Sequence, residues 1–556
     1  MATPDDCSGW LLYLSLAAKC GVDQPHRLVG FLVVCAVACL VTCLLHWCVP
    51  GGPAWGRWWW TRRGKLLGSG GAVVPGPRGL PVFGSMWLMT GLAHRKLAAV
   101  ARRLRATRLM AFSLGETRMI VAAHPDVARE ILGSPAFADR PIKETAYGLL
   151  FHRAIGFAPH GAYWRALRRV ASTHLFSPWQ VAASAPQRAV IARQMVRAVA
   201  SSGRGGDVVV VRQVLRRAAL HNVMWSVFGR RYELEMDPAR ESIETRELRT
   251  LVDEGYDLLG KLNWSDHLPW LARFDLQGTR ARCARLVPRV NRFVGGIIDE
   301  HRAKRDEDHP SAVADFTDVL LSLEGDDRLA ESDMIAVLWE MVFRGTDTVA
   351  VLIEWVLARL VLHPQVQDRV HDELDRVVGP GRAVTESDAS SLVYLHAVIK
   401  EVLRLHPPGP LLSWARLATS DVHVDGFLIP AGTTAMVNMW SITHDPEMWA
   451  EPNEFRPDRF IDSATADVNV MGSDLRLAPF GSGRRSCPGK SLAMATVAFW
   501  LATLLHKFDL QPASDPARAV DLSEVLRLSC EMAEPLAVTV KPRRSDYAGE
   551  IDTDGR

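Results

Sequence analysis

The most apolar stretch of the chain is the twenty residues from Val29 to Cys48, with FLVVCAVACLVTCLL at its heart and no acidic, lysine or arginine side chain inside it. At ~1.5 Å per residue a helix of this length crosses a bilayer core of ~30 Å, so the pattern predicts a membrane-spanning helix. Before it the basic residues are Lys19 and Arg27; after it come Arg57, Arg62, Arg63 and Lys65, with Trp55, Trp58, Trp59 and Trp60 expected as interfacial anchors. That asymmetry puts the body in the cytosol. The rival is a cleaved signal peptide, but its apolar region is usually ~7–15 residues behind a basic start, and here Asp5 and Asp6 open the chain. Trp10–Ala18 is too short to span and is expected at the luminal interface. Asn263-Trp264-Ser265 is a formal glycosylation sequon, unused in this topology.

Beyond the anchor the pattern turns amphipathic. Pro75-Gly76-Pro77-Arg78-Gly79-Leu80-Pro81 cannot be helical and reads as a stiff, extended connector. Gly91–Leu104 has helical periodicity, Leu109–Ala123 alternates around Gly115-Glu116 like a hairpin, and His124-Pro125-Asp126 opens another helix. After the loop Pro141–Gly161, the stretch Tyr163–Arg169 reads as a helix with Trp164 and Arg168 on one face. A Gly/Ser loop follows at Ser201–Asp207, and the chain is mostly helical up to Gly325. Asp333–Leu360 is a long apolar helix expected to be interrupted at Arg344-Gly345-Thr346-Asp347-Thr348, because Gly345 costs ~1 kcal/mol relative to Ala and Thr346 and Thr348 can divert backbone carbonyls. Val422–Trp440 alternates, with Asp425-Gly426 as a turn, and Ser491–His506 is a second apolar helix. The fold class is mainly α with minor β sheets.

Composition narrows this little. At 556 residues the chain exceeds the ~250–300 at which single cores stop growing, so a large, subdivided body is expected. A net charge of +3 with 23% charged residues, and no long basic run, gives no sign of nucleic acid. Six of the nine cysteines lie in the first 48 residues, leaving Cys283, Cys487 and Cys530 for the body. That is no disulfide framework, and a reducing compartment fits.

The chemistry concentrates at Phe480-Gly481-Ser482-Gly483-Arg484-Arg485-Ser486-Cys487-Pro488-Gly489. Gly481 and Gly483 let the loop curl around Cys487 and aim backbone N–H groups at its sulfur. Pro488 is expected in the first turn of the following helix, whose N-terminus, with Arg485 nearby, favours negative charge on sulfur. A single soft thiolate without cysteine or histidine at zinc spacing points to iron whose other ligands come from a porphyrin. Gly489-Lys490-Ser491 looks like the end of a phosphate-binding loop but fails on spacing, since Arg484 stands where that loop needs glycine. A buried structural cysteine is the bland alternative.

The spacing F-x-x-G-x-R-x-C-x-G resembles the haem-binding loop of the cytochrome P-450 haem-thiolate monooxygenases. Four further motifs appear in that family's order. The resemblance implies haem b with Cys487 as its axial ligand, Arg485 on a propionate, Phe480 shielding the sulfur, and Gly489 allowing the helix close to the porphyrin. Trp164 and Arg168 resemble the W-x-x-x-R that grips a propionate, and Arg416 another such contact. Arg165 and Arg169 become candidates for docking an acidic electron donor. Asp347 and Thr348 match the oxygen-activation motif A-G-x-D-T as a proton relay. Glu401, Arg404 and Arg459 resemble the structural E-x-x-R and P-x-R-F network. The sequence departs from the family at Arg344, where alanine or glycine is usual. Glu340 stands one turn earlier, in the favourable acid-first order. Either the two neutralise each other and shape the pocket, or Arg344 binds a substrate carboxylate.

The implied organisation is a luminal segment over 1–28, an anchor over 29–48, a basic and aromatic linker with proline-rich hinge over 49–84, a haem-thiolate catalytic domain over 85–543, and a polar tail over 544–556. This is the cytochrome P-450 fold with an N-terminal single-pass transmembrane helix, in the endoplasmic reticulum membrane. Substrate contacts are expected from Lys143–Ala158, Glu340–Thr348, Leu411–Trp414 and Leu528–Ala533, with Leu411, Trp414 and Cys530 as tentative lining residues. Phe137-Ala138-Asp139-Arg140-Pro141 and the Phe343–Thr348 form resemble plant microsomal members of the KLUH/PLASTOCHRON/GIANT EMBRYO group. That implies O2- and NADPH-dependent hydroxylation of a fatty acid or related lipid signal, with NADPH–cytochrome reductase (or a cytochrome b-type donor) as partner and a part in organ, embryo or seed size. A reductase-independent isomerase or dehydratase, and a membrane-anchored haem sensor, are the alternatives.

Overall fold

The computed structural model describes residues 25–66, 73–237, 240–306, 315–412, 415–461, 465–513 and 520–543. The apolar N-terminal stretch is a helix, Pro25–Trp47, and its segment Val29–Trp47 has the length and composition of a membrane anchor. Leu32, Val34 and Leu40 are each more than half exposed, as a helix meant for lipid requires.

Past the anchor the chain turns sharply at Gly51 and Gly52, both at positive φ, into a second helix, Pro53–Leu66, where a linker was expected. This helix is tied to the body. Trp55 is 2% exposed and its indole N–H reaches the carbonyls of Phe112 (3.1 Å) and Met119 (3.2 Å). Ser113 Oγ donates to Gly51 O (2.7 Å) and accepts from the Ala54 N–H (3.1 Å). Trp55 is therefore a buried strut and not the interfacial anchor that the tryptophan cluster led us to expect. Composition alone cannot separate those roles, because an indole satisfied by carbonyls and one satisfied by headgroups look alike in sequence. Trp60 keeps a more peripheral place, donating to Leu45 O (3.1 Å) on the anchor itself. The proline-rich segment is extended and lies on the first strand, with the Ala111 N–H on Pro75 O (2.9 Å). Gly76 passes so close that a Cβ would collide with Ala111 O.

The predicted hairpin forms from Leu109–Leu114 and Thr117–Ala122, registered Leu109 to Ala122. Thr434–Val437 adds in parallel to the second strand, and Arg416–Leu417 pairs antiparallel with Thr434–Val437, making a four-stranded sheet. Val208–Val210, Ala537–Pro542 and Phe508–Pro512 form a second sheet, and two short hairpins, Val422–Val424 with Phe427–Ile429 and Glu524–Leu526 with Cys530–Met532, complete the β structure. The turn of the former uses Asp425 and Gly426 at positive φ, as its sequence indicated.

Everything else is organised on one helix, Glu331–Leu362. Its thirty-two residues are apolar nearly all round, so it must be enclosed by other elements. Ile335, Leu338, Trp339 and Phe343 sit in one core cluster with Phe151, Leu167, Leu251 and Ile298; Ala350, Ile353, Trp355 and Val361 sit in another with Met195, Leu215, Val398 and Val497. The helix runs unbroken through Arg344–Thr348, against the interruption expected there. Thr346 Oγ1 bonds back to Val342 O (2.7 Å), which satisfies the hydroxyl without opening the helix. The other apolar helix spans Lys490–Lys507 with Gly489 as N-cap, so Pro488 stands just outside it and not in its first turn. The sequon residue Asn263 is 5% exposed and donates to Glu144 (2.9 Å), out of reach of modification in the folded protein.

Trp55→Ala is expected to lower stability by about 3–5 kcal/mol, whereas Trp60→Ala leaves the thermal midpoint of detergent-purified protein nearly unchanged. Equal midpoints for the two variants would show that the segment after the anchor is not part of the folded body.

Candidate active site

The cysteine loop folds as its glycines require. Gly481 and Gly483 both lie at positive φ, and at Gly483 a Cβ would also collide with Leu132 O. The Cys487 N–H donates to Phe480 O (2.9 Å), closing the loop. Gly489 presses on the ring of Phe176, 3.1 Å from where a Cβ would stand. The Cys487 thiol is pushed up by burial, an effect opposed by the Gly489 N–H and by the charges of Arg344, Arg168 and Lys490. Arg485 does not supply that charge, although its place in the loop led us to expect it. Its guanidinium turns away and donates to the carbonyls of Ala138 (2.9 Å), Ile155 (3.2 Å) and Ala158 (2.7 Å), stacking 4.3 Å from the Trp164 ring. Trp164 is itself buried and donates to Ile155 O (2.9 Å). Among the described residues Cys487 belongs to no cluster of three or more histidine, cysteine or carboxylate ligands. A metal bound by this sulfur must bring its other ligands with it.

Around this sulfur lies a concentration of buried positive charge. Arg140, Arg416 and Arg485 are all under a tenth exposed, and Arg168 and Arg344 are half-buried. Burial lowers the pKa of Arg140, with repulsion from Arg416, Arg485 and Arg344 adding to it. Burial and Arg485 bring Arg416 to about 10. Burial likewise brings Arg485 to about 10, with Arg168 and Arg344 repelling it and Asp139 and Glu340 opposing the shift. Among the described residues, five guanidiniums and two carboxylates thus share a poorly solvated space, an arrangement that favours a further anion. A porphyrin bearing two carboxylates, with its iron on the Cys487 thiolate, has the charge this chamber requires, so the residues present fit haem. Arg140 escaped the sequence reading as a site residue. Its only signal was its place in the FADRP stretch, and nothing local shows that the chain folds back to set it beside Arg416, where it donates to Ala415 O (3.0 Å) and Gly156 O (3.1 Å).

The central helix closes the chamber. Glu340, 1% exposed, pairs with Arg344 (3.1 Å) and accepts the Gly156 N–H (2.9 Å); a side chain at Gly156 would collide with both. Burial raises the Glu340 pKa, and Arg344, Gly156, Arg140 and Ile155 oppose the rise. Arg344 and Thr348 are one turn apart on the same face, and Thr348 is exposed on a helix otherwise almost wholly enclosed. Asp347 is buried and held by Arg216 (3.2 Å), whose guanidinium also binds Glu531 (2.5 Å). Arg216 was invisible in the sequence because 131 residues separate it from its partner. Leu411 is buried beside Leu88, Phe112 and Met436. Trp414 lies outside the described residues. Cys530 is brought together not with Glu340 and Arg344 but with His94 and Glu524, its thiol 3.4 Å from Glu524 Oε2.

Behind the cysteine loop, Glu401 binds Arg404 through both oxygens (2.8 and 2.9 Å), Arg459 Nε (3.0 Å) and the Arg456 N–H (2.9 Å). Arg404 spends its remaining donors on the carbonyls of Thr443, Pro452 and Glu454. Glu401 and Arg404 are 0% exposed and Arg459 3%. The node links the helix Val393–Leu405 to the loop around Pro457–Phe460.

A helical fold built on one enclosed helix, with a lone loop cysteine opening onto a basic chamber, defines a haem-thiolate oxygenase. The cytochrome P450 family model matches residues 74–529, and the chain belongs to the cytochrome P450 family. Curated relatives place it in the plant 78A subfamily of these monooxygenases, with the haem-thiolate cofactor that family membership implies. It is 59% identical to cytochrome P450 78A9 of Arabidopsis thaliana over 98% of this chain and 99% of that protein. It is 55% identical to cytochrome P450 78A3 of Glycine max over 98% and 100%. At 37% over 87% and 92% it is also similar to dimethylnonatriene synthase of Zea mays.

Glu401→Gln leaves two buried guanidiniums undercompensated, a loss of about 3–5 kcal/mol by the measure of broken buried ion pairs. The expected result is protein that takes up little haem, read as haem per chain and as the thermal midpoint. Full haem loading at the wild-type midpoint would rule out a structural role for the node.

Proposed function

We propose that this protein uses O2, and electrons from NADPH–cytochrome reductase or a cytochrome b-type donor, to hydroxylate a lipophilic small molecule, a fatty acid or related lipid signal. In this reading the N-terminal helix holds it in the endoplasmic reticulum membrane with the body in the cytosol, and its product takes part in plant organ, embryo or seed size. The observation that carries the reading is the pairing of Thr348 and Arg344 on the one open face of an apolar helix, with Arg344 inside the electrostatic reach of Cys487.

Cys487 would ligate the iron, and Arg168, Arg416 and Arg485, backed by Trp164, would hold the porphyrin carboxylates. When bound, haem-thiolate supplies the activation of O2 and the insertion of one oxygen atom into a C–H bond. The chain's own residues do the rest. Phe480 and Gly489 shape the sulfur's surroundings and keep water from it. Thr348 presents its hydroxyl to the chamber as a proton donor, and Asp347 restores that proton from the side where Arg216 meets solvent. Next to Arg344 in the chain, Phe343 packs on Phe151 and Trp339 in the apolar core. Arg344 shares its field with Arg140 and Arg485 as well as Glu340, so a substrate carboxylate would meet positive charge there. Arg165 remains exposed for an acidic electron donor, whereas Arg169 is engaged with Asp327 (2.7 Å).

Purified protein with reductase, NADPH and a plant lipid extract is expected to yield hydroxylated lipid in untargeted profiling, with none from Cys487→Ser. Turnover of hydroperoxides without NADPH would point to an isomerase or dehydratase, and carbon monoxide binding without oxygen consumption on any lipid to a sensor. Arg344→Ala is expected to erase the preference for a free fatty acid over its methyl ester, roughly 10–100-fold for one charge-assisted bond. Unchanged relative affinities would remove the carboxylate role while leaving the monooxygenase reading intact.

A further inference from the structure

The hairpin Glu524–Leu526/Cys530–Met532 bears ionisable groups on both faces. Glu531 points to Arg216 (2.5 Å) and Arg212 (3.8 Å). On the opposite face, Met532 pairs with Glu524, which makes Cys530 the diagonal neighbour of Glu524. The helix Ala93–Arg103 brings His94 to the same point. His94 Nε2 is 3.1 Å from Glu524 Oε1, and Cys530 Sγ is 3.4 Å from Glu524 Oε2. The side chains of His94 and Glu524 are 0% and 2% exposed, and Cys530 is 3% exposed. One ligand atom from each lies within 4.8 Å of the others. His94 and Glu524 lie outside the machinery assigned to the oxygenase, and Cys530 has no part in the mechanism proposed above.

We propose that His94, Glu524 and Cys530 form a binding site for Zn2+. Zinc takes imidazole, carboxylate and thiolate at ~2.0–2.3 Å in a tetrahedron, whose edges are of the order of the separations already present, so the side chains need move only slightly. Charge favours the ion as well. A divalent cation with one thiolate, one carboxylate and a neutral imidazole is neutral overall, which is what a buried site requires. On binding, Cys530 loses its thiol proton to solvent, and His94 binds through a deprotonated Nε2; nothing is oxidised or reduced. Two ligands are already fixed by backbone bonds, the His94 carbonyl by Asn438 Nδ2 (2.8 Å) and the Cys530 N–H by Pro408 O (2.9 Å). The competing group is Arg95, whose Nε lies 2.5 Å from Glu524 Oε1. Its side chain is 47% exposed, so it withdraws to solvent and leaves the fourth position to water. The bound ion cross-links the helix Ala93–Arg103 to the hairpin whose other face holds Arg216 against Asp347.

The test uses the full chain loaded with haem, so that Cys487 is occupied, stripped of adventitious metal by chelation and titrated with ZnCl2 under reducing conditions. Wild type is expected to retain one zinc ion that both Cys530→Ser and His94→Gln weaken at least about tenfold, the loss that even an outer-sphere partner causes. X-ray absorption at the zinc edge is expected to show one sulfur neighbour that Cys530→Ser removes, while Cys283→Ser changes neither readout. Should His94→Gln fail to take up haem, Glu524→Gln, which keeps the shape of the side chain, replaces it. No zinc retained by the wild type, or equal affinity in wild type and variants, overturns the assignment.

Discussion

The structure depends on an unbalanced electrostatic sum at its centre. Guanidiniums of Arg140, Arg168, Arg344, Arg416 and Arg485 share one poorly solvated space, with Asp139 and Glu340 as their nearby acids among the described residues. Burying like charges together costs several kcal/mol per ion unless anions join them. Two of them, Arg344 and Arg168, together with Lys490, also oppose the effect of burial on the cysteine thiol. A dianionic porphyrin whose iron took the thiolate would offset both costs at once, and folding of this region would then be linked to cofactor uptake.

Such a chamber needs a rigid frame, and two devices provide it. The enclosed helix Glu331–Leu362 fixes Glu340, Arg344, Asp347 and Thr348 at helical spacing, with packing on both halves leaving it no freedom to shift. The Glu401–Arg404–Arg459 node is fully desolvated yet has nearly every donor and acceptor engaged, which is the condition under which a buried ionic network rigidifies and does not destabilise. Asp347 gains a similar tether from Arg216, which ties the proposed proton relay to the hairpin carrying Glu531. At the membrane side, Trp55 and the docked segment around Gly76 connect the anchor to the first sheet by specific hydrogen bonds, so the body is mounted on its anchor and not loosely leashed to it.

Local chemistry was legible in the amino-acid sequence wherever it depends on neighbours along the chain. The anchor follows from twenty uncharged residues, the hairpin at Gly115-Glu116 from alternation, the cysteine loop from two glycines at the positive φ that other residues rarely adopt, and the Glu340–Arg344 pair from i, i+4 spacing. The helical interruption at Gly345 was misjudged because propensity is a weak local term, and an enclosing core outweighs it.

What only the tertiary structure decided are relations between residues far apart in the chain. Arg485 turns from the sulfur to Ala138, Ile155 and Ala158, Arg140 joins Arg416, Arg216 finds Asp347, Trp55 leaves the interface for the core, and Cys530 meets His94. The physical reason is the same in each case. A buried polar group must find a partner, many partners of equal chemistry are available along 556 residues, and the packing of the helices chooses among them.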